Sequence, residues 1–491
     1  MSRVDPVSGF NIAQRAATSM VAMGGRHLFA LASGIIVARG LGPDKFGTFA
    51  FLLTGFASLH VVFDFGTSQA FYTITCREAR SSRFFALYGG WIALQFAIPF
   101  AAIWMMLPHA WFEEIWHGAP RTLVLMALAA SFSQRVLWQM MTQIGEAHRR
   151  TAQVQLGTMG IQALHLAVVW ALHAANLLSI ELLFIVIGME FVGATIVALA
   201  LTARRSAEEP IASDDSVGAI LREFARYSGP LVVPAVLGAM AAYIETWMLQ
   251  TFGGPEQQAY YNIAFQYANL AHVFGMSASN VFWKEIAVAH ARGDRARMWQ
   301  IYTNGTRILF SMSALVAGFV VYWSTPALVL LIGPAYADAG PVFVLTLLNS
   351  TVACYGIVVG AAYLATGRTR LWSLFGLSYV AASLPTGIFV LWGLRLGALG
   401  LSAKVLALTV VFQLFYDFYM CRLNGWKMDY RFRVAVGVFL FAAGGLASAS
   451  TRWFLPGVAI SLQLAAALAS YLLVAALGGL VLMRRQAILV R

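Results

Sequence analysis

The sequence predicts an all-α polytopic membrane protein: about fourteen transmembrane helices, arranged as two homologous six-helix lobes around a central cavity, plus two C-terminal helices. Three observations predict it. Hydrophobic residues make up 60% of the 491 positions and charged residues only 11%, with a mean hydropathy of +0.72, a balance foreign to soluble domains. The apolar runs recur at the roughly 20-residue length a bilayer demands. Finally, a motif returns: ARGLGPDKFGTFAF at 38–51 is echoed by TFGGPEQQAYYNIAF at 251–265, with Pro43 falling on Pro255 at an offset of 212. A second echo, TQIGEAHRRTAQ from Thr142 and LATGRTRLWS from Leu364, sets Gly145 on Gly367 at an offset of 222. Two echoes in order at nearly constant offset indicate two homologous halves, the pattern of many transporters.

Taken in order, the first six apolar segments are 18–39, 46–72, 84–107, 123–143, 152–173 and 180–202. The longest hydrophilic run, RRSAEEPIASDDS at 204–216, separates them from the next six at 228–250, 258–282, 302–323, 342–365, 371–393 and 396–421. Two more, 434–449 and 456–483, close the chain. The expected domains are therefore an N-lobe at 1–203, a cytoplasmic linker at 204–227, a C-lobe at 228–425, and a final pair of helices with a tail at 426–491. In the linker, Ile220, Leu221, Phe224 and Ala225 recur at helical spacing with Arg222, Glu223 and Arg226 elsewhere on the wheel. A short amphipathic helix or a solvated connection both fit that pattern.

The charges support this segmentation. With the N-terminus inside and loops assigned alternately, 24 of the 33 Lys and Arg fall on the cytoplasmic side, five on the other and four within segments. Such a bias, repeated loop by loop, predicts N-in, C-in topology. The net charge of +12 is thus dispersed for topology and does not point to nucleic acid. Cys76, Cys354 and Cys421 lie far apart without metal-ligand spacing, so neither a disulfide framework nor a metal site is expected. No cofactor is expected either. Arg26 and His27 interrupt the first apolar run, which reads as a retained helix and not a cleaved signal peptide. The loops are too short for a soluble catalytic or nucleotide-binding domain and there is no Walker A sequence, so ATP is not the direct energy source.

Function must then lie within the membrane, where a central Arg or Asp costs about 2.5–3.5 kcal/mol on insertion scales. The bases that bear this cost are Arg26, Arg135, Arg307 and Lys404; the acids are Asp64, Glu190, Glu245 and Asp417; the histidines are His60, His165 and His272. Guanidinium groups stay charged and bind phosphate bidentately, so Arg26, Arg135 and Lys404, with Arg307, are the candidates for a basic cavity that holds an anionic head group. The alternative is that each base pairs with a buried acid and ties helices together; for Arg307 it is that the side chain snorkels to the interface. Glu190, at mid-helix, is a candidate for proton coupling or a partner for Arg26. His60 and His272, equivalent in the two halves, are further coupling candidates that also suit helix–helix hydrogen bonding.

The motifs resemble a known family. VARGLGPDKFG at 37–47 followed by VFDFGTSQAFYTIT at 62–75 is similar to the opening of Wzx-type polysaccharide and O-antigen flippases. These are a branch of the multidrug/oligosaccharidyl-lipid/polysaccharide (MOP) exporter superfamily. Phe65 stands where the family pattern D-L-G has Leu. The second half carries YSGPLVVPAVL, GGPEQQAYYNIAFQYANL, LLIGPAYADAG, LATGRTRLW and LGALGLSAKVLAL in the family's order, so the resemblance covers 15–425. It implies two lobes working by alternating access in a bacterial inner membrane. The cargo it implies is an undecaprenyl-pyrophosphate-linked oligosaccharide, moved from the cytoplasmic to the periplasmic leaflet for lipopolysaccharide or exopolysaccharide synthesis. Partners would be the lipid-linked oligosaccharide, membrane lipids, and a polysaccharide polymerase and chain-length regulator. It also implies a pyrophosphate contact, which Arg26 is placed to supply. Where many relatives have an Asp in the seventh helix, this chain has Glu245 or nothing equivalent. The fourteen segments match the lipid II flippase branch in number. The rival readings are a MATE-like drug/cation antiporter, which favours acidic cavity residues, and a membrane glycan polymerase or ligase, which needs a larger periplasmic loop than 108–121.

Overall fold

A computed structural model describes residues 12–77, 80–148, 150–206 and 216–489; within these, side chains are described except at 12–17, 19–20, 202–206, 231, 270–281 and 479–489. Helix dominates and no strand occurs among the described residues. Among the described residues, twelve helices are long and apolar enough to cross a membrane. Two of them are each a pair of helices joined across a kink, Ile12–Asp64 at Gly42 and Val217–Ala291 at Gly254. With those halves counted separately, the described chain has the fourteen expected segments. It is a multi-pass membrane protein.

The two kinks are the repeated Gly-Pro motif. Gly42 (φ 73°) and Gly254 (φ 83°) take the left-handed conformation that other residues adopt only with strain. Pro43 and Pro255 then open the next helix, where their missing N–H would be unpaired in any case. The chain thus turns sharply with one orphan donor fewer at the start of the new helix. The remaining segments are the helices Ser82–Met106, Arg121–Ala147, Thr151–Ala174, Ile180–Ser206, Arg295–Leu331, Ala339–Ala365, Thr369–Gly393, Gly397–Asn424, Tyr430–Phe454 and Ile460–Leu489.

Several boundaries differ from the sequence reading, each for a local reason. The second segment, expected at 46–72, stops at Asp64, and a separate helix runs Thr67–Arg77. Phe65 (φ 51°) and Gly66 (φ 73°) make the break. Asp64 caps the new helix, its carboxylate accepting from Thr67 Oγ1 (2.9 Å), Ser68 N (3.0 Å) and Ser68 Oγ (2.8 Å). The amphipathic stretch of the linker forms no separate helix: helix begins at Val217 and runs directly into segment seven. Segment thirteen spans 25 residues, Tyr430–Phe454, where sixteen were expected. Its small residues pack tightly: a Cβ on Gly444 would lie 1.9 Å from the Gly318 carbonyl oxygen, the close approach that stabilises helix pairs in lipid.

The chain forms two compact units, one up to Ala259 and one from Tyr260. In the first, segment seven runs antiparallel along segment two. Near one end of this pair Arg80 donates to Glu223 (3.0 Å), Thr73 to the Tyr227 hydroxyl (2.9 Å) and Ser228 to the Gly66 carbonyl (3.3 Å). Midway, Gly55 faces the Tyr243 ring. At the far end a Cβ on Gly47 would fall 1.8 Å from the Pro255 carbonyl oxygen. The two copies of the repeated motif therefore touch each other, backbone against backbone.

The second unit is tied together by a buried polar cluster. Asp417, 1% exposed, accepts from Arg433 and from the Tyr302 hydroxyl (2.6 Å), and Arg433 lies over the Tyr355 ring at 4.6 Å. These residues come from segments twelve, thirteen, nine and ten. Arg433, assigned to a loop by the topology count, is 7% exposed inside the start of segment thirteen. Charge counting reads only distance from the nearest apolar run, whereas the partner here is sixteen residues upstream on another helix.

Candidate functional site

Three of the expected residues come from segments one, two and four of the first unit. Arg26 follows Gly25, where the first helix packs so closely on Met159 of segment five that a Cβ would sit 2.6 Å from the Met159 Sδ. The guanidinium is half-buried, and its described contact is His27 Nε2 at 3.5 Å. No carboxylate pairs with it among the described residues.

Arg135 lies in a π-helical turn, Ser133–Leu137, inside the helix Arg121–Ala147. The extra residue of such a turn breaks the regular ladder of the helix, a feature that recurs at functional sites. No sequence pattern announces it. Arg135 is exposed, with no acidic partner among the described residues, although it stands at the middle of its span. The same turn is braced from outside, since Trp138 donates to Thr158 Oγ1 (3.2 Å) and packs on Phe191 at 6.4 Å. Trp138 thus holds segment four to segments five and six.

His60 is 4% exposed, its ring 5.8 Å from Phe132, within electrostatic reach of Arg135. Its Nε2 has no hydrogen-bond partner in the structure. A buried imidazole nitrogen left unpaired is costly. Arg26 is sixteen residues from the kink at Gly42, His60 seventeen from Pro43 and Arg135 fourteen from Arg121. At about 1.5 Å per residue, all three stand roughly 21–26 Å along their helices from the same end. Two guanidinium groups without carboxylates and one unsatisfied imidazole therefore share a depth in the membrane.

The other candidates are engaged elsewhere. Glu190 pairs with His165, Oε2 to Nδ1 at 2.8 Å, and not with Arg26; its Oε1 is buried without a partner. Lys404, 6% exposed, donates to Ser383 Oγ at 2.7 Å between segments twelve and eleven. Arg307 pairs with Asp429 (2.5 Å) and lies over the Phe432 ring at 4.7 Å. His272 is in the helix Val217–Ala291, but its side chain is outside the described residues.

No protein-family model and no curated protein matches the chain. Solved structures do match its fold. The lipid II flippase MurJ in an inward closed conformation is similar with a TM-score of 0.73 and 12% identity, over 95% of this chain and 99% of that one. An inward-facing multidrug resistance MATE family transporter of the MOP superfamily is similar with a TM-score of 0.64 and 15% identity, over 84% and 99%. A MOP superfamily transporter from Pyrococcus furiosus, described as having a binding pocket of reversed polarity, gives a TM-score of 0.58 and 16% identity, over 84% and 94%. These neighbours are flippases and transporters, and the chain shares their fold.

Proposed function

We propose that this protein is a flippase for an anionic lipid-linked oligosaccharide, an undecaprenyl-pyrophosphate-linked repeat unit, which it passes between leaflets by alternating access. One observation carries the reading: Arg26 and Arg135 stand at the same mid-membrane depth with no carboxylate to neutralise them among the described residues. The residue Arg135 is exposed at mid-span while its guanidinium is largely surrounded by protein. Lipid makes an unpaired charge there costly, so in this reading Arg135 borders a water-filled path. Two such groups suit a pyrophosphate, which takes bidentate, charge-assisted hydrogen bonds from each. A cationic drug would be repelled by the same pair. The neighbouring fold with a pocket of reversed polarity supports the view that pocket charge, and with it cargo, varies on this scaffold.

In the cycle so proposed, the pyrophosphate enters from the cytoplasmic leaflet and rests between Arg26 and Arg135. His60 supplies a further hydrogen bond through its free Nε2. The glycan occupies the aqueous path and the polyprenyl chain stays in lipid. The direction fits an inner-membrane protein with both termini in the cytoplasm, acting ahead of a polymerase and chain-length regulator.

The test is reconstitution of the full chain into vesicles carrying a fluorescent undecaprenyl-pyrophosphate oligosaccharide in one leaflet, followed by quenching from outside. Wild type should expose the label and Arg26→Ala should not. No movement of this lipid by wild type, with drug-dependent proton release in its place, would transfer the protein to the antiporter class.

A further inference from the structure

A second basic site lies in the second unit, far along the chain from the residues just described. Three turns meet there: the hairpin between segments eight and nine, the turn between segments ten and eleven, and the end of segment twelve. Together they line an open cavity of about 250 Å³ whose walls include His290, Asp294, Arg295, Met298, Arg368 and Asn424. Arg368 is held in position by its own backbone: Gly367 (φ 71°) closes the preceding helix, and Arg368 N donates to the Tyr363 carbonyl at 2.9 Å. Among the described residues, its guanidinium hydrogen-bonds the Met420 sulfur alone, at 3.7 Å. Neither Arg295 nor His290 pairs with an acid among the described residues. The single carboxylate in the lining, Asp294, is committed to capping the next helix, accepting from Arg297 N at 2.8 Å.

We infer that this cavity binds the phosphate of an anionic membrane phospholipid. Two guanidinium groups and an imidazole converge on a space that suits a phosphodiester head group with its glycerol. Met298 and Leu423 supply an apolar wall, which a free inorganic anion has no use for but a lipid does. Beside the cavity, the Trp299 and Trp426 rings pack at a tilt, their centroids 5.2 Å apart. Paired indoles of this kind mark the level of the head groups, where such a phosphate would arrive already positioned. The turns concerned also belong to the face that gathers most of the Lys and Arg, the face that meets anionic lipid. The site is independent of the flippase reading and stands whatever the protein transports.

The experiment is native mass spectrometry of the detergent-purified full chain, titrated with phosphatidylglycerol, with phosphatidylcholine as the neutral lipid and inorganic phosphate as competitor. Wild type should retain one phosphatidylglycerol in preference to phosphatidylcholine. The double variant R295Q/R368Q should weaken that retention about tenfold, as expected for losing charge-assisted hydrogen bonds. R292Q/R422Q, which removes two exposed arginines outside the cavity lining, should leave it within about twofold on the same scale. R295K/R368K keeps the charges and guards against a folding defect; it should retain most of the binding. Equal loss in both Gln pairs would reduce the effect to diffuse surface charge and overturn the site. So would no loss in either. Displacement of the lipid by inorganic phosphate at matched concentration would overturn the lipid assignment and make the ligand a free anion.

Discussion

The two halves of this chain descend from one plan, yet they treat buried charge in opposite ways. In the first unit, Arg26 and Arg135 stand at mid-membrane without carboxylates among the described residues, and His60 keeps a buried nitrogen unpaired. In the second unit, three bases inside the helices have partners: Arg433 with Asp417, Arg307 with Asp429, Lys404 with Ser383. The contrast is sharpest between equivalent helices. Segment four, Arg121–Ala147, carries a π-turn with an exposed arginine, whereas its counterpart Ala339–Ala365 is continuous α-helix with Cys354, Tyr355 and Val358 buried at the corresponding level. A duplicated helix needs neither a π-turn nor an unpaired charge to pack, as the second copy demonstrates. The first copy thus adds to the shared plan charges that packing does not require, while Arg433, Arg307 and Lys404 of the second hold helices together.

The largest effect that could break this comparison is in the second unit. Asp417→Asn leaves Arg433 buried against a neutral partner, and losing half of a buried pair costs about 3–5 kcal/mol. The thermal midpoint in detergent should fall steeply, while transport per folded molecule holds. The double variant Asp417→Leu with Arg433→Met should recover much of the stability, since an apolar replacement of a buried pair is often neutral or better. Intact stability with lost transport in Asp417→Asn would place a working charge in the half assigned to structure.

Next in size are Arg26→Ala and Arg135→Ala. On the proposed function, each removes charge-assisted hydrogen bonds to cargo of about 1.5–3 kcal/mol, which is a loss of lipid transport of about tenfold or more. Each should leave the melting midpoint near wild type, because no acid is stranded. Arg307→Ala is the matched control, and it should lower stability more than transport. A melting drop in Arg26→Ala equal to that of Arg307→Ala would erase the distinction between the units.

How much of this was legible in the sequence follows from which forces leave a linear trace. Segment number is written in apolar run length, and the kinks at Gly42 and Gly254 in the Gly-Pro dipeptide. Arg26 and Arg135 could be singled out because a charge inside an apolar run is conspicuous. The partners could not: Asp417 meets Arg433, and His165 meets Glu190, through helix packing that no spacing rule encodes. The π-turn at 133–137 is likewise invisible, since the residues SQRVL suit an ordinary helix equally well. Arg433 was misplaced for a related reason, being near a loop in sequence but inside the bundle in space.

A smaller effect tests the contact between the repeated motifs. Gly47 in the first copy corresponds to Ala259 in the second, and only at Gly47 does the backbone of the other copy press where a side chain would stand. A carbonyl oxygen at 1.8 Å cannot swing aside as a side-chain tip can. Gly47→Val should therefore separate segment two from Pro255 at a cost of about 1–3 kcal/mol, seen as a lower midpoint. A cysteine pair across the same contact should crosslink less readily in the variant background. Full crosslinking in Gly47→Val would mean that the contact gives way elsewhere without loosening.

The smallest effect concerns the break that only the first copy has. Segment two ends at Asp64 and restarts at Thr67, whereas its counterpart continues from the Gly254 kink without interruption to Ala291. The carboxylate of Asp64 satisfies donors at the new helix start, so Asp64→Ala should cost about 1 kcal/mol, the usual worth of a cap. Because Gly66 accepts from Ser228 of segment seven (3.3 Å), the same variant should raise hydrogen exchange across 64–70 and at the start of segment seven together. Exchange confined to 64–70 would show that the break is a local bend. Exchange rising at both places would make it a joint at which segment two can move against segment seven, a freedom the continuous second copy lacks.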